Sequence, residues 1–310
     1  MESVEIWAAT PTPFDSSGEL DLGVVPDQLR HLQDSGVYGA FVAGTTGEFP
    51  SLTVEERQAL VAEWAARRSQ DQRRRSLELG AHIGATQLAQ AQQLAAHAES
   101  VGVDMIAAVA PFYGKASLDR TVSWLADLAE AAPHTPFCFY HIPSMTGSSL
   151  RPSEVVGLAE SRIPTLRAVK FTDQDLLEFA LTRAVAPDVR VYFGRDELLP
   201  AALAFGADGV IGSLYNGLAP VARAVIRAFA AGRTAEAFDL HHPFRATSEA
   251  ADAHGGVGFI KELMNELGPN TGVCRPPWGP IDAAGRAVVE TLAPTLQAAV
   301  AAAGPVEEPV

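Results

Sequence analysis

Lysine is scarce in this chain: of 23 lysines and arginines only Lys115, Lys170 and Lys261 are lysine. Lys170 stands inside the apolar run Leu166-Arg-Ala-Val-Lys-Phe-Thr172. A lysine there can do what an arginine cannot, because an ammonium in an apolar pocket has its pKa lowered and the neutral amine can attack a carbonyl to form an imine. The alternative is a lysine at a strand end that reaches solvent or pairs with Asp173 or Asp175. Tyr140, in Phe137-Cys-Phe-Tyr-His-Ile-Pro143, reads by itself as a core aromatic. One strand away from a reactive lysine, its phenol can instead relay protons during imine formation and bond cleavage. Gly44-Thr-Thr-Gly-Glu48 sets two hydroxyls and their backbone N–H groups just before a helix N-terminus, which suits a carboxylate and suits equally a turn with capping residues.

The elements that must position these groups follow from the alternation of short apolar runs with helical segments. Eight strands are expected: Ile6 to Thr10, Val37 to Ala43, Leu77 to Ile83, Met105 to Ala110, Phe137 to Ile142, Leu166 to Phe171, Val189 to Phe193 and Gly209 to Ile211. Helices are expected over Thr53 to Arg68, opened by the capping box Thr53-Val-Glu-Glu56, and over Leu88 to Ser100 and Leu118 to Ala131. Repeated βα units of this number make an α/β fold, a (β/α)₈ TIM barrel. An open doubly wound sheet is disfavoured, since no Gly-x-Gly-x-x-Gly turn follows the first strand. After Asn216 the chain turns to alanine-rich helix, over Ala219 to Ala231, Thr234 to Ala251 and Gly285 to Ala303. The expected division is a barrel over residues 1–230, a C-terminal helical extension over 231–303, and a disordered tail over 304–310. In a barrel the strand C-termini gather the chemistry. That rim holds Thr45, Thr46, Tyr140, Lys170, Thr172, Gly194, Asp196, Glu197 and Ser213.

Composition removes several classes of function. A chain of 310 residues, 47% hydrophobic and 19% charged, is globular, and a net charge of −14 argues against nucleic acid or an anionic membrane as partner. The basic run Arg73 to Arg75 reads as a solvated face. Cys138 and Cys274 read as reduced buried thiols, with no disulfide framework or metal site. His241 and His242 read as surface histidines, because adjacent helix residues point about 100° apart and no third ligand is evident. The first six residues lack a basic segment followed by a long apolar core, so a cytoplasmic protein is expected.

Taken together, Gly44-Thr-Thr-Gly-Glu48, Tyr140-His-Ile-Pro-Ser-Met-Thr-Gly147, the Lys170 strand and Gly209-Val-Ile-Gly-Ser-Leu-Tyr-Asn216 resemble the pyruvate-dependent class I aldolases of the dihydrodipicolinate synthase and N-acetylneuraminate lyase family, over about Trp7 to Pro280. The resemblance implies a homotetramer without metal or dissociable cofactor. Lys170 would carry the Schiff base, Tyr140 the proton relay, and Thr45 with Thr46 the pyruvoyl carboxylate. It further implies that Tyr113 corresponds to a relay tyrosine that some members supply from a neighbouring subunit. Synthases of the family usually carry an arginine where this chain has Met145, and a thioether cannot fork a carboxylate. Asp196 and Glu197, with Thr172, Gly194 and Ser213, resemble the positions that hold a polyhydroxylated sugar tail. The expected reaction is reversible cleavage of N-acetylneuraminate to N-acetylmannosamine and pyruvate. The alternatives are cleavage or dehydration of another 2-keto-3-deoxy sugar acid, dihydrodipicolinate synthesis, or a non-catalytic sensor that forms no imine.

Overall fold

All eight apolar runs form strands, β1 Glu5–Ala9, β2 Gly39–Val42, β3 Glu78–His82, β4 Met105–Val109, β5 Phe137–His141, β6 Leu166–Phe171, β7 Arg190–Phe193 and β8 Gly209–Gly212. Each pairs in parallel with the next and β1 closes on β8, giving a closed barrel. This computed structural model describes residues 4–70 and 77–304. The basic run Arg73 to Arg75 and all but the first residue of the expected tail lie outside them.

The runs are nearly continuous in apolar residues because both faces of a parallel barrel strand are covered, one by the barrel interior and one by helices. Side chains alternate along a strand. On β5, Cys138 and Tyr140 therefore enter the interior cluster while Phe137 and Phe139 join the outer one. On β6, Ala168 faces inward and Val169 and Phe171 outward, so the same period turns Lys170 into the barrel. β5 and β6 pair with Tyr140 level with Lys170. Outside, Phe171, Phe179 and Phe193 pack at 5.2 to 6.0 Å between ring centroids and fix the ends of β6 and β7. Truncating one buried phenylalanine of this kind costs about 3–5 kcal/mol, so these strand ends are rigid supports.

The helix Val54–Gln70 opens as the capping box requires, with Thr53 Oγ1 accepting from Glu56 N at 3.1 Å and Glu56 accepting from Thr53 N at 2.8 Å. The helices Leu88–Ser100 and Leu118–Glu130 follow as expected. The C-terminal third departs from expectation in three respects. The stretch Thr234 to Ala251 is two helices, Thr234–Leu240 and His242–Ala253, because Pro243 starts the second and cannot continue the first. At that joint His241 is 1% exposed, so it is a buried and not a surface histidine. A helix not expected from the sequence, Val257–Leu267, follows Gly255 and Gly256, whose φ of 106° and 57° make the turn that enters it. Those glycines and Gly268 read as loop punctuation, which hides eleven helical residues between them.

Candidate active site

Lys170 is 4% exposed, and its Nζ lies 4.5 Å from the ring centroid of Phe41 and 4.2 Å from that of Tyr140. The two carboxylates that could have paired with it are engaged elsewhere. Asp173 faces His141 Nε2 at 3.6 Å, and Asp175 caps the helix Leu176–Val185 by accepting from Glu178 N. The amine thus sits against aromatic faces at the C-terminal end of the barrel. The Tyr140 hydroxyl lies 3.1 Å from Thr45 Oγ1, and Thr46 Oγ1 lies 2.6 Å from Ser213 Oγ on β8's exit. Hydroxyls from three strand ends, those of β2, β5 and β8, are therefore gathered in two pairs beside one lysine.

The loop Gly44 to Gly47 is held in a strained form. Both flanking residues, Ala43 and Glu48, are non-glycine yet left-handed at φ 55°. Each such residue costs on the order of 1–2 kcal/mol, and strain of this kind persists only where the surroundings over-determine it. Glu48 N donates to Thr45 O at 3.0 Å, and Thr12 Oγ1 donates to Gly47 O at 2.6 Å. A Cβ on Gly47 would stand 3.1 Å from Ala43 Cα and Thr10 O, so the loop is packed against β1's exit. The loop does not run straight into an α-helix as expected; a 3-10 turn, Phe49–Ser51, intervenes before Val54.

Another side of the same rim, after β6 and β7, carries Thr172, Gly194, Asp196 and Glu197. Together with Lys170, Tyr140, Thr45, Thr46 and Ser213 they line one cleft of about 190 Å³. Thr172 N donates to His141 O and Gly194 N to Phe171 O, both at 2.8 Å. A Cβ on Gly194 would overlap the Thr172 hydroxyl, so glycine is needed there. Asp196 is 7% exposed; Oδ2 accepts from Leu214 N at 2.9 Å, and Oδ1 has no partner among the described residues. Burial pushes its carboxyl up to about 7, the Leu214 N–H opposes, and the charge of Glu197 adds to the rise. Glu197 pairs with Arg195 at 2.7 Å. The rim thus offers one carboxylate and one carboxyl poised between donor and acceptor, which matches a row of hydroxyls better than an anion.

Tyr113 is not part of this cleft. It is fully exposed at φ 71° and lines a neighbouring hollow of about 480 Å³, which Met145 shares with the active cleft. Other groups were not expected from the sequence. His82 sets its ring edge-on to Tyr140 at 6.0 Å, and burial, then Arg57, then Lys170 hold it well below the usual imidazole range. His241 Nε2 lies 2.9 Å from Asp196 O, and Ser248, Asp252 and Ile260 from the C-terminal helices border the mouth. The alternation of β3 would have turned His82 inward; nothing in the local sequence marks His241. Among the described residues no helix is long and apolar enough to cross a membrane.

The model of the dihydrodipicolinate synthetase family matches residues 2–296. The chain belongs to that family. Among its curated members, the N-acetylneuraminate lyase of Xenopus tropicalis is 40% identical over 265 residues, 84% of this chain and 85% of that protein. The N-acetylneuraminate lyase of Mus musculus is 40% identical over 227 residues, 72% of this chain and 69% of the relative. The solved N-acetylneuraminate lyase of Proteus mirabilis superposes with a TM-score of 0.89 at 31% identity, over 96% of this chain and 99% of that one. Family membership accounts for the closed barrel and for the order of the motifs along it.

Proposed function

We propose that this chain is a Schiff-base aldolase that reversibly cleaves N-acetylneuraminate to N-acetylmannosamine and pyruvate. The observation that carries the reading is Lys170, a buried amine seated on Phe41 and Tyr140 beside a hydroxyl-lined cleft. Its Nζ attacks C2 of the open-chain sugar, water leaves, and an iminium forms. The Tyr140 phenol, tied to Thr45 Oγ1, moves protons for that dehydration and takes the proton of the C4 hydroxyl. The C3–C4 bond breaks, its electron pair enters the iminium to give an enamine, and the aldehyde departs. Protonation at C3 and hydrolysis then return pyruvate and the free amine. The imine itself is the electron sink, so the chemistry needs no further cofactor.

Thr45 and Thr46 hold the C1 carboxylate in this reading, with Ser213 orienting Thr46. Thr172, Gly194, Asp196 and Glu197 face the hydroxylated tail. Met145, half exposed at the cleft's edge, supports a sugar over an acidic aldehyde, because it cannot fork a second carboxylate.

Pyruvate release from N-acetylneuraminate, coupled to lactate dehydrogenase, is the test. The wild type should turn over and Lys170→Arg should not, with its circular dichroism unchanged. Undiminished turnover by that variant ends the Schiff-base reading. Turnover of another 2-keto-3-deoxy sugar acid in place of N-acetylneuraminate would keep Lys170 and Tyr140 and reassign the Asp196 rim.

A further inference from the structure

Lys261 accounts for another of the three lysines, and it is as buried as any residue of the core. It lies on the helix Val257–Leu267 with 0% exposure, remote in sequence from every motif of the cleft. Its Nζ donates to Glu48 Oε1 at 2.8 Å, to Thr12 O at 2.8 Å and to Val273 O at 3.2 Å, and it stands 4.3 Å over the Phe14 ring. Three ammonium N–H groups thus meet three acceptors. The planar fork of an arginine could not address three carbonyl and carboxylate oxygens converging on one point, which explains a lysine in a chain that otherwise uses arginine.

Two of those acceptors belong to the segments that shape the Gly44 to Gly47 loop. Thr12 supplies its carbonyl to Lys261 and its hydroxyl to Gly47 O. Glu48 is fully buried, gives Oε1 to Lys261, accepts from Arg275 N on Oε2 at 2.8 Å, and donates its own N–H to Thr45 O. The loop is left-handed at Ala43 and at Glu48, and a strained loop needs such over-determination to persist. Without the ammonium, Glu48 is a buried carboxylate whose charge has lost its partner, and it must move. Glu48 moving takes Thr45 and Thr46 with it.

We infer that Lys261 is a positioning residue for the Thr45–Thr46 cradle, so that the C-terminal helices set the affinity of the barrel for the 2-oxo acid. The inference rests on the reading of that cradle as the seat of the pyruvoyl carboxylate. It assigns to Lys261 no contact with substrate.

The test is borohydride trapping of the Lys170 adduct as a function of pyruvate concentration, alongside the KM for N-acetylmannosamine in the synthetic direction. Lys261→Met should raise half-saturating pyruvate about tenfold to a hundredfold, since small displacements of a binding group have effects of that order, and should leave the KM for the aldehyde within about twofold. Leu296→Ala, in the fully buried core of the helix Ala283–Ala302, is the control for general loosening of the same region and should not move either value. Pyruvate saturation unchanged in Lys261→Met, or shifted equally in Leu296→Ala, overturns the inference. If Lys261→Met does not fold, Glu48→Gln reads the same strut from its other end: it keeps an acceptor for Nζ but turns an N–H toward Arg275 N, and it should weaken pyruvate in the same way. A wild-type chain that traps no pyruvate on Lys170 would instead remove the proposed aldolase reaction, a distinct failure.

Discussion

Asp196 and His241 are neighbours whose protons are pushed in opposite senses by burial. The Asp196 carboxyl is raised to about 7, and the His241 imidazole is lowered to about 4 by desolvation, against the pull of the Asp196 carbonyl. For Asp196 the folded chain keeps a proton that the unfolded chain, with its ordinary value of 3.8, has released. Its stabilising contribution is therefore complete below about 3.8 and is lost as pH rises through about 7. Asp196→Asn carries no such titration and keeps an acceptor for Leu214 N. Urea denaturation of both proteins from pH 5 to pH 8 should show the wild type losing stability relative to Asp196→Asn, by on the order of 2–4 kcal/mol over the full window. Parallel curves would mean that the carboxyl titrates normally. Lys170 was legible in the sequence because its type was scarce and its surroundings apolar. The state of Asp196 was not, since the sequence places Asp196 and Glu197 together at the rim without telling which of the two is buried. Its burial is made by Gly212, where a Cβ would overlap the carboxyl, and by the Leu214 N–H, both on the next strand's exit.

At the level of elements, the eight strands were legible because parallel strands covered on both faces must be apolar throughout, and periodicity two then assigns Tyr140 and Lys170 to one face. The C-terminal helices were not, because alanine-rich segments with frequent glycine carry little pattern to say where one helix stops. The cost of that gap is functional, since the missed joint at His241 supports the missed contact. The His241 ring stacks on Phe244 at 5.2 Å and 9°, and a backbone carbonyl can only accept, so Nε2 carries the proton that binds Asp196 O. His241→Phe keeps the stacking and strips the donor. It should cost about 1–3 kcal/mol in denaturation for the buried carbonyl left unpaired. It should also raise the KM for N-acetylneuraminate while leaving the concentration of pyruvate needed to trap Lys170 unchanged, because the 194 to 197 segment shifts and the Thr45–Thr46 loop does not. A variant of wild-type stability and KM would show that the Asp196 rim is held by its own turn alone.

For the molecule as a whole, two separate exposed surfaces bear on assembly, one around Tyr113 and one an apolar helix stripe, and we propose a homotetramer built through both. Tyr113 is fully exposed in a left-handed conformation, beside the hollow that Met145 shares with the active cleft. A tyrosine held outward at φ 71° costs on the order of 1 kcal/mol, which contact with another chain would offset. On a different element, Leu177, Leu181 and Val185 repeat every four residues along the outer side of the helix Leu176–Val185 and are 68%, 39% and 42% exposed. Exposed apolar stripes of that kind mark interfaces. An isologous contact uses one patch on both partners, so a single patch closes a dimer, and a second, independent patch joins two dimers. Sedimentation velocity at micromolar concentration should give a species of four chains. Leu177→Glu with Leu181→Glu should halve its mass by removing one interface and leave the other, and a further change of Tyr113→Glu should give single chains. If Tyr113 completes the cleft of a neighbouring subunit, the dimer that keeps the Tyr113 surface should retain its turnover and the single chains should lose it. A wild type that sediments as one chain with full activity would show that each barrel works alone and that both surfaces serve something else.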